Sequence, residues 1–204
     1  LAVGIDRRKV SWILDLDIKS YFDSIDHEKL LDLLQIRIAD KRILRLIQRW
    51  LESGVIEDGE LTQCKRGTAQ GASISPLLAN VYLHYVFDCW AGEWRRREAR
   101  GDMILVRYAD DIVAGFQYKD DAERFRRALR ERLAEFSLEL HPEKTRLIEF
   151  GRFAAERRGK RGQGKPESFV FLGIRHICGR SRKGKFLLKR QTDKKRLRTK
   201  LKQV

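Results

Sequence analysis

Several features are scarce in this chain, and each scarcity removes a class of protein. There are three cysteines in 204 residues. Cys64, Cys89 and Cys178 are odd in number, far apart and without a C-x-x-C pair. Neither a disulfide framework nor a zinc ribbon is indicated, and they read as reduced and structural. His176 and Cys178 would share one face of a strand, but the other histidines lend no support to a zinc site there. No apolar run approaches the length of a membrane span, and no charged-then-apolar leader opens the chain, so a cytosolic protein without a membrane partner is the default. Internal repeats and heptads are absent. The glycines of Arg157 to Ser168 have no strand before them and no helix after them, so that stretch reads as a mobile basic loop rather than a phosphate cradle.

Acidic residues are also in deficit, with 29 Asp and Glu against 44 Lys and Arg, a formal net charge of +15. Such an excess says more about partners than about fold. It favours polyanions, with nucleic acid first and an anionic membrane surface second. The length suffices for one sizeable core or a large domain with an appendage.

What is present centres on Arg107-Tyr108-Ala109-Asp110-Asp111-Ile112-Val113. The apolar runs on either side, Met103 to Val106 and Ile112 to Phe116, read as buried strands, which puts Asp110 and Asp111 in the tight turn between them. Two adjacent carboxylates repel, so a counter-charge is expected, and a divalent cation is the natural one; an ordinary Asp-Asp turn is the other reading. Ser11 to Ile18 reads as another buried strand, with Asp17 near its end and Asp15 on the same face.

The remaining segments read as scaffold. Asp26 caps a helix with Leu30, Leu31 and Leu34 as its stripe, and a second helix from Lys41 to Leu51 turns Ile43, Leu44, Ile47 and Trp50 inward. Asp58-Gly59 signals a hairpin. The small, polar residues 67–73 suit a loop whose backbone approaches something closely, and Ser75-Pro76 suits a cap and first turn. Asp120 to Phe136 reads as a helix packed through Ala122, Phe125, Leu129 and Leu133. Arg146 to Phe150 and Ser168 to Ile174 read as strands, and Asp193 to Lys202 as a basic helix.

In order along the chain stand an Asp at a strand end followed by Phe22, then GTAQGASISPLLAN, then YADD, then a P-x-K turn, then FLG. This series resembles the palm of reverse transcriptases, and most of all the group II intron reverse transcriptase/maturase family, from about Trp12 to the end. The resemblance implies an α+β fold: a polymerase palm with an antiparallel sheet backed by helices, partial fingers and the start of a thumb. Residues 1–190 would be palm with part of the fingers, and 191–204 the opening of a truncated basic thumb or maturase helix.

The resemblance also implies roles. Asp17, Asp110 and Asp111 would be the catalytic carboxylates and, with the carbonyl of Ile18, would hold two Mg²⁺ ions, with Mn²⁺ a possible substitute. Phe22 would exclude a ribose 2′-hydroxyl, Gln70 and Gly71 would line the nucleotide and template side, and Lys144 would lie near the incoming triphosphate. Phe171, Leu172 and Gly173 would grip the primer end. Ala69 stands where the family has Pro, which loosens a turn but removes no chemical group. The implied partners are an RNA template such as intron RNA, a DNA or RNA primer and dNTP, in a bacterial-type cytoplasm with nucleoid or ribonucleoprotein association. The alternatives are a retron, diversity-generating or CRISPR-associated reverse transcriptase, or an RNA-binding splicing maturase without polymerase activity. The chain is expected to be a palm-centred piece of a longer enzyme that extends primers poorly or not at all by itself.

Overall fold

Three apolar runs of the sequence become neighbouring strands of one sheet. The computed structural model describes residues 1–52, 55–57, 60–62, 67 and 74–193. In chain order the elements are α1 (Ala2–Arg7), β1 (Trp12–Leu16), α2 (Tyr21–Ser24), α3 (His27–Gln35), α4 (Lys41–Glu52), β2 (Val55–Glu57) and β3 (Glu60–Thr62). Next comes α5 (Ser75–Leu83), which runs through a π-helical stretch, His84–Cys89, into α6 (Trp90–Arg97). Then follow β4 (Met103–Tyr108), β5 (Asp111–Phe116), α7 (Lys119–Glu135), β6 (Arg146–Glu149), α8 (Ala154–Lys160), β7 (Phe169–Phe171), β8 (Ile174–Arg180) and β9 (Phe186–Thr192). The chain divides into two compact units, the first made of residues 1–17, 98–126 and the chain from 142 on, the second of 18–97 and 127–141.

The first unit is built on an antiparallel sheet of order β4-β5-β1-β6. The central strands are buried on both faces, which explains why β5 reads as an unbroken apolar run after its first residue. Register fixes the faces: Leu14 lies opposite Ala114, and Asp15 opposite Val113 and Arg146. On one face, Phe116 meets Phe125 of α7 with ring centroids 5.4 Å apart. On the other, Ile13, Val113 and Ile148 join Ile5, Val10, Phe150, Phe169 and Phe171 in one core cluster. Phe169 and Phe171 come from a second sheet, β7-β8-β9, laid over that face. Beyond Ile13 the same face of β1 turns acidic, at Asp15 and Asp17.

In the second unit, the Asp26 carboxylate caps α3 by accepting from the Lys29 amide at 3.2 Å, and β2 pairs antiparallel with β3, while the Asp58-Gly59 signal itself lies outside the described residues. The Tyr82 hydroxyl donates to the Phe136 carbonyl at 2.8 Å, and Arg132 lies over the Phe136 ring.

Residues near the start form a helix, α1, whose Ile5 enters the core. Other elements differ from the sequence expectation. In α4 the buried residues are Ile47 and Leu51, while Ile43 and Trp50 are 48% and 44% exposed, because the buried stripe is only one residue wide per turn. Ser75 lies inside α5, and Ile74 is the capping position without a side-chain bond. Ser168 to Ile174 is two strands, broken at Leu172 and Gly173, both with positive φ. The stretch read as a mobile loop from Arg157 carries helix instead. Glu149 is buried at the end of β6, and a buried carboxylate requires counter-charge; α8 and the turn after it deliver Arg157 at 3.1 Å and Arg161. The basic helix expected over Asp193 to Lys202 falls outside the described residues after Asp193.

His176 and Cys178 are structural. The imidazole is buried, stacked on Phe169 at 4.8 Å, and bonded through Nδ1 to the Ile174 carbonyl at 3.0 Å. Burial pushes the Cys178 thiol up to about 11, despite a contact with the Gly151 backbone that lowers it.

Two predictions follow from this packing. Gly151 has φ +95, and a Cβ there would overlap the Val10 carbonyl oxygen. Gly151→Ala should therefore cost at least about 1–3 kcal/mol of stability, read as a lower denaturant midpoint. Burial, ahead of the charge of Arg190, holds His176 below the usual histidine value. The stability that comes from keeping it neutral is complete above about pH 6.5 and is lost as pH falls toward the folded-state value. His176→Phe should flatten that acid-side slope in melts taken across the range, and an unchanged slope would assign it to other groups.

Candidate active site

Hydrogen-bonded pairing of β1 with β5 brings the two acidic segments together. Leu16 lies opposite Ile112, so Asp17, the next residue, comes beside Asp111, the first residue of β5. The sequence reading put both Asp110 and Asp111 in the turn. Tyr108 in fact pairs with Asp111, leaving Ala109 and Asp110 as a two-residue loop. Ala109 takes a left-handed conformation, φ +52, and its carbonyl accepts from the Arg107 guanidinium at 2.9 Å. That bond holds a turn whose backbone is strained for a residue with a side chain.

The other neighbour of β1 supplies positive charge. Lys144 Nζ stands 3.5 Å from Asp17 Oδ1, and Arg146 stands 3.3 Å from Asp15 Oδ2. These are two rungs of one ladder, because alternate residues of β6 and its approach face alternate residues of β1. Between them, the Thr145 hydroxyl donates to the Asp17 carbonyl at 3.5 Å, tying the backbone of the key aspartate. Asp15 and Arg146 were not singled out as site residues from sequence. Their signal was the alternation of Asp15 with Asp17 and of Lys144 with Arg146, which has meaning only once β6 is known to pair with β1.

Burial, more than any single neighbour, raises the Asp15 carboxyl above its ordinary range; Arg146 opposes this, while Asp111 and Asp17 push the same way by repulsion. The carboxylates thus sense one another across the two strands. Among the described residues, no three His, Cys, Asp or Glu side chains are drawn together closely enough to hold an ion as they stand. Asp17 is turned to Lys144. The donors are nonetheless hard oxygens at the uncovered end of a rigid sheet, the chemistry that Mg²⁺ or Ca²⁺ requires.

The other residues expected at the site are distributed as follows. Ile18 and Phe22 belong to the second unit: Ile18 bridges to Leu140, and Phe22 sits on α2 with its ring 5.4 Å from that of Tyr21. Gln70 and Gly71 lie outside the described residues. Gly67, the described residue nearest before them, has φ +85 and lies so close to the backbone of Phe22 and Asp23 that no side chain fits. Its amide donates to the Ile25 carbonyl at 2.8 Å. The close approach expected of residues 67–73 is, at Gly67, an approach to α2. Phe171 is a core residue, whereas Leu172 is 43% exposed at the turn with Gly173. If this block touches a ligand, Leu172 and Gly173 present the surface.

Asp15→Asn tests the electrostatics. A carboxyl raised in the folded state contributes stability below its unfolded value and loses it as pH rises through the folded one. The substitution should therefore raise the unfolding free energy at neutral pH by about 1 kcal/mol or less, and the gain should vanish in acid.

A family model described as "Reverse transcriptase (RNA-dependent DNA polymerase)" matches residues 4–176. The group II intron-encoded protein LtrA of Lactococcus lactis subsp. cremoris is 42% identical over 73 residues, which are 36% of this chain and 12% of that protein. Protein YkfC of Escherichia coli K12 is 29% identical over 85% of this chain and 49% of its own length. The chain thus spans half or less of these relatives. Among solved structures, apo telomerase from Candida tropicalis truncated from its C-terminal domain superposes with a TM-score of 0.64 and 17% identity, over 90% of this chain and 36% of that one. At that identity the likeness is one of fold, and it agrees with the mixed helix and antiparallel-sheet architecture described above.

Proposed function

The chain belongs to the reverse transcriptase family, with group II intron-encoded proteins among its relatives, and we propose that it carries the nucleotidyl-transfer centre of a group II intron RNA-directed DNA polymerase. The observation that carries this reading is the register that sets Asp17 beside Asp111, with Lys144 across from them on the β6 side. In this reading residues 1–190 are palm with part of the fingers, and 191–204 open the thumb. The whole protein would copy an RNA template from a DNA or RNA primer using dNTP, and would assist splicing and mobility of its intron.

Asp17, Asp110 and Asp111, with the Ile18 carbonyl, would hold two Mg²⁺ ions, which supply charge neutralisation, a more acidic primer 3′-hydroxyl and a better pyrophosphate leaving group. The protein's own part is placement. The bonds from Thr145 to Asp17 and from Arg107 to Ala109 fix the backbones that carry the carboxylates, so the rearrangement left for substrate binding is one of side chains, with Asp17 turning away from Lys144. In-line attack on an α-phosphate gains most from such positioning. Lys144 can exchange its contact with Asp17 for the triphosphate and place positive charge on the leaving side. Leu172 and Gly173 would meet the primer end, Phe22 the sugar, and Gln70 and Gly71 the base pair.

Asp110→Asn in the complete protein tests this. cDNA synthesis should fall by at least about a hundredfold while RNA affinity, measured by filter binding, is retained. Undiminished synthesis would remove the carboxylates from the chemistry and leave an RNA-binding splicing factor as the better description.

A further inference from the structure

The first unit has a second concentration of positive charge, at the far ends of the same strands. β1 begins at Trp12 and its acidic end is Asp17, a separation of about 17 Å along the strand. At the Trp12 end a cleft of ≈ 470 Å³ has Arg7, Arg8, Lys9, Tyr118, Arg152 and Phe153 among its lining residues. A neighbouring cleft of ≈ 500 Å³ shares Arg152 and adds Lys165 and Arg180. Arg152, just before α8, lines both clefts, and the two are taken together as one furrow.

Several of these charges are available. Among the described residues Arg7 and Lys9 make no ion pair. Arg8 is only 3.6 Å from Asp102, and Arg152 spends one nitrogen on the Asp6 carbonyl at 2.8 Å. The one acid lining the furrow, Glu156, is matched by Lys160 at 2.8 Å. Two aromatic rings stand in solvent at the same place, Tyr118 at 47% and Phe153 at 54% exposure. Rings this exposed present apolar surface to solvent, although the Tyr118 hydroxyl also accepts from the Gln117 amide at 3.2 Å.

We propose that this furrow binds a single-stranded nucleic acid segment, separate from the primer and template at the carboxylate site. Several cations along the lining suit a repeating phosphate backbone, and the two rings suit unpaired bases, which alone can expose a face for stacking. A lone phosphate would use the charge but not the rings. The inference is independent of the polymerase reading, because the residues are different and the readout is binding rather than synthesis.

The test uses the full chain with fluorescein-labelled 15-nucleotide oligouridylate and oligothymidylate, titrated by anisotropy at several salt concentrations. Tyr118→Ala/Phe153→Ala should weaken binding about tenfold or more, Tyr118→Phe/Phe153→Tyr should restore it, and both doubles should melt as the parent does. Arg7→Glu/Lys9→Glu should weaken binding and lower the salt slope by about one to two. The control, Arg45→Glu/Arg49→Glu on exposed α4, should do neither to that extent. RNA carrying 4-thiouridine should crosslink at Tyr118 or Phe153. Tighter oligouridylate binding would identify RNA as the occupant, tighter oligothymidylate a DNA strand, and equal affinity either. The proposal is overturned if the aromatic double binds like the parent, if the control loses as much as Arg7→Glu/Lys9→Glu, or if the variants abolish binding to phosphatidylserine vesicles and leave RNA binding intact. Oligonucleotide binding and cDNA synthesis are separate readouts, so failure of the furrow and failure of the polymerase centre are separately visible.

Discussion

The pairing of β1 with its two neighbours is the constraint on which the first unit depends. One neighbour, β5, brings a carboxylate alongside Asp17; the other, β6, brings ammonium and guanidinium groups. Without the second, the first would set like charges together at a half-buried position. The sheet is thus a device for holding repulsion at a chosen place, and its apolar half supplies the stability that makes this tolerable. Ile13, Val113 and Ile148 lie under β7-β8-β9 on the face that becomes acidic two residues further along.

This division of one face into a covered apolar part and an uncovered acidic part also explains why the supporting segments look as they do. Phe169 and Phe171 must be large and apolar because they close the covered part, and Phe171 is spent on that closure. Gly151 must be glycine because the chain passes against Val10 as it leaves β6. Glu149 must be met by arginines, which turns a stretch rich in glycine and charge into helix and turn. A basic furrow at the opposite strand ends gives the same sheet two poles: carboxylates at one, cations and rings at the other.

Strands were legible as short β-branched and aromatic runs, in the central β5 and β1 and also in β4, which lies at the sheet edge and is half-buried rather than buried. The Asp26 cap and the antiparallel pairing of β2 with β3 were local signals that local physics obeyed. What misled was anything that depended on a distant partner. Ile43 and Trp50 have the right spacing for a buried stripe yet remain exposed, since spacing does not say how wide the cover is. The arginines of α8 looked like solvated loop because the buried Glu149 that requires them lies on another element.

From residues alone one could tell that nucleic acid is a fitting partner, that Asp17, Asp110 and Asp111 are unusual acids beside buried strands, and that the order of motifs resembles a reverse transcriptase palm. These follow from composition and from side chains whose meaning is local or sequential. Only the tertiary structure decided that Asp15 and Asp17 are answered by Arg146 and Lys144, that the YADD turn is Ala109-Asp110 with Asp111 already in the strand, and that Tyr118 shares a furrow with Arg7, Lys9 and Phe153. Each of these is a matter of which strand lies beside which, and a hydrogen-bonded register between segments a hundred residues apart leaves no trace in either segment read singly.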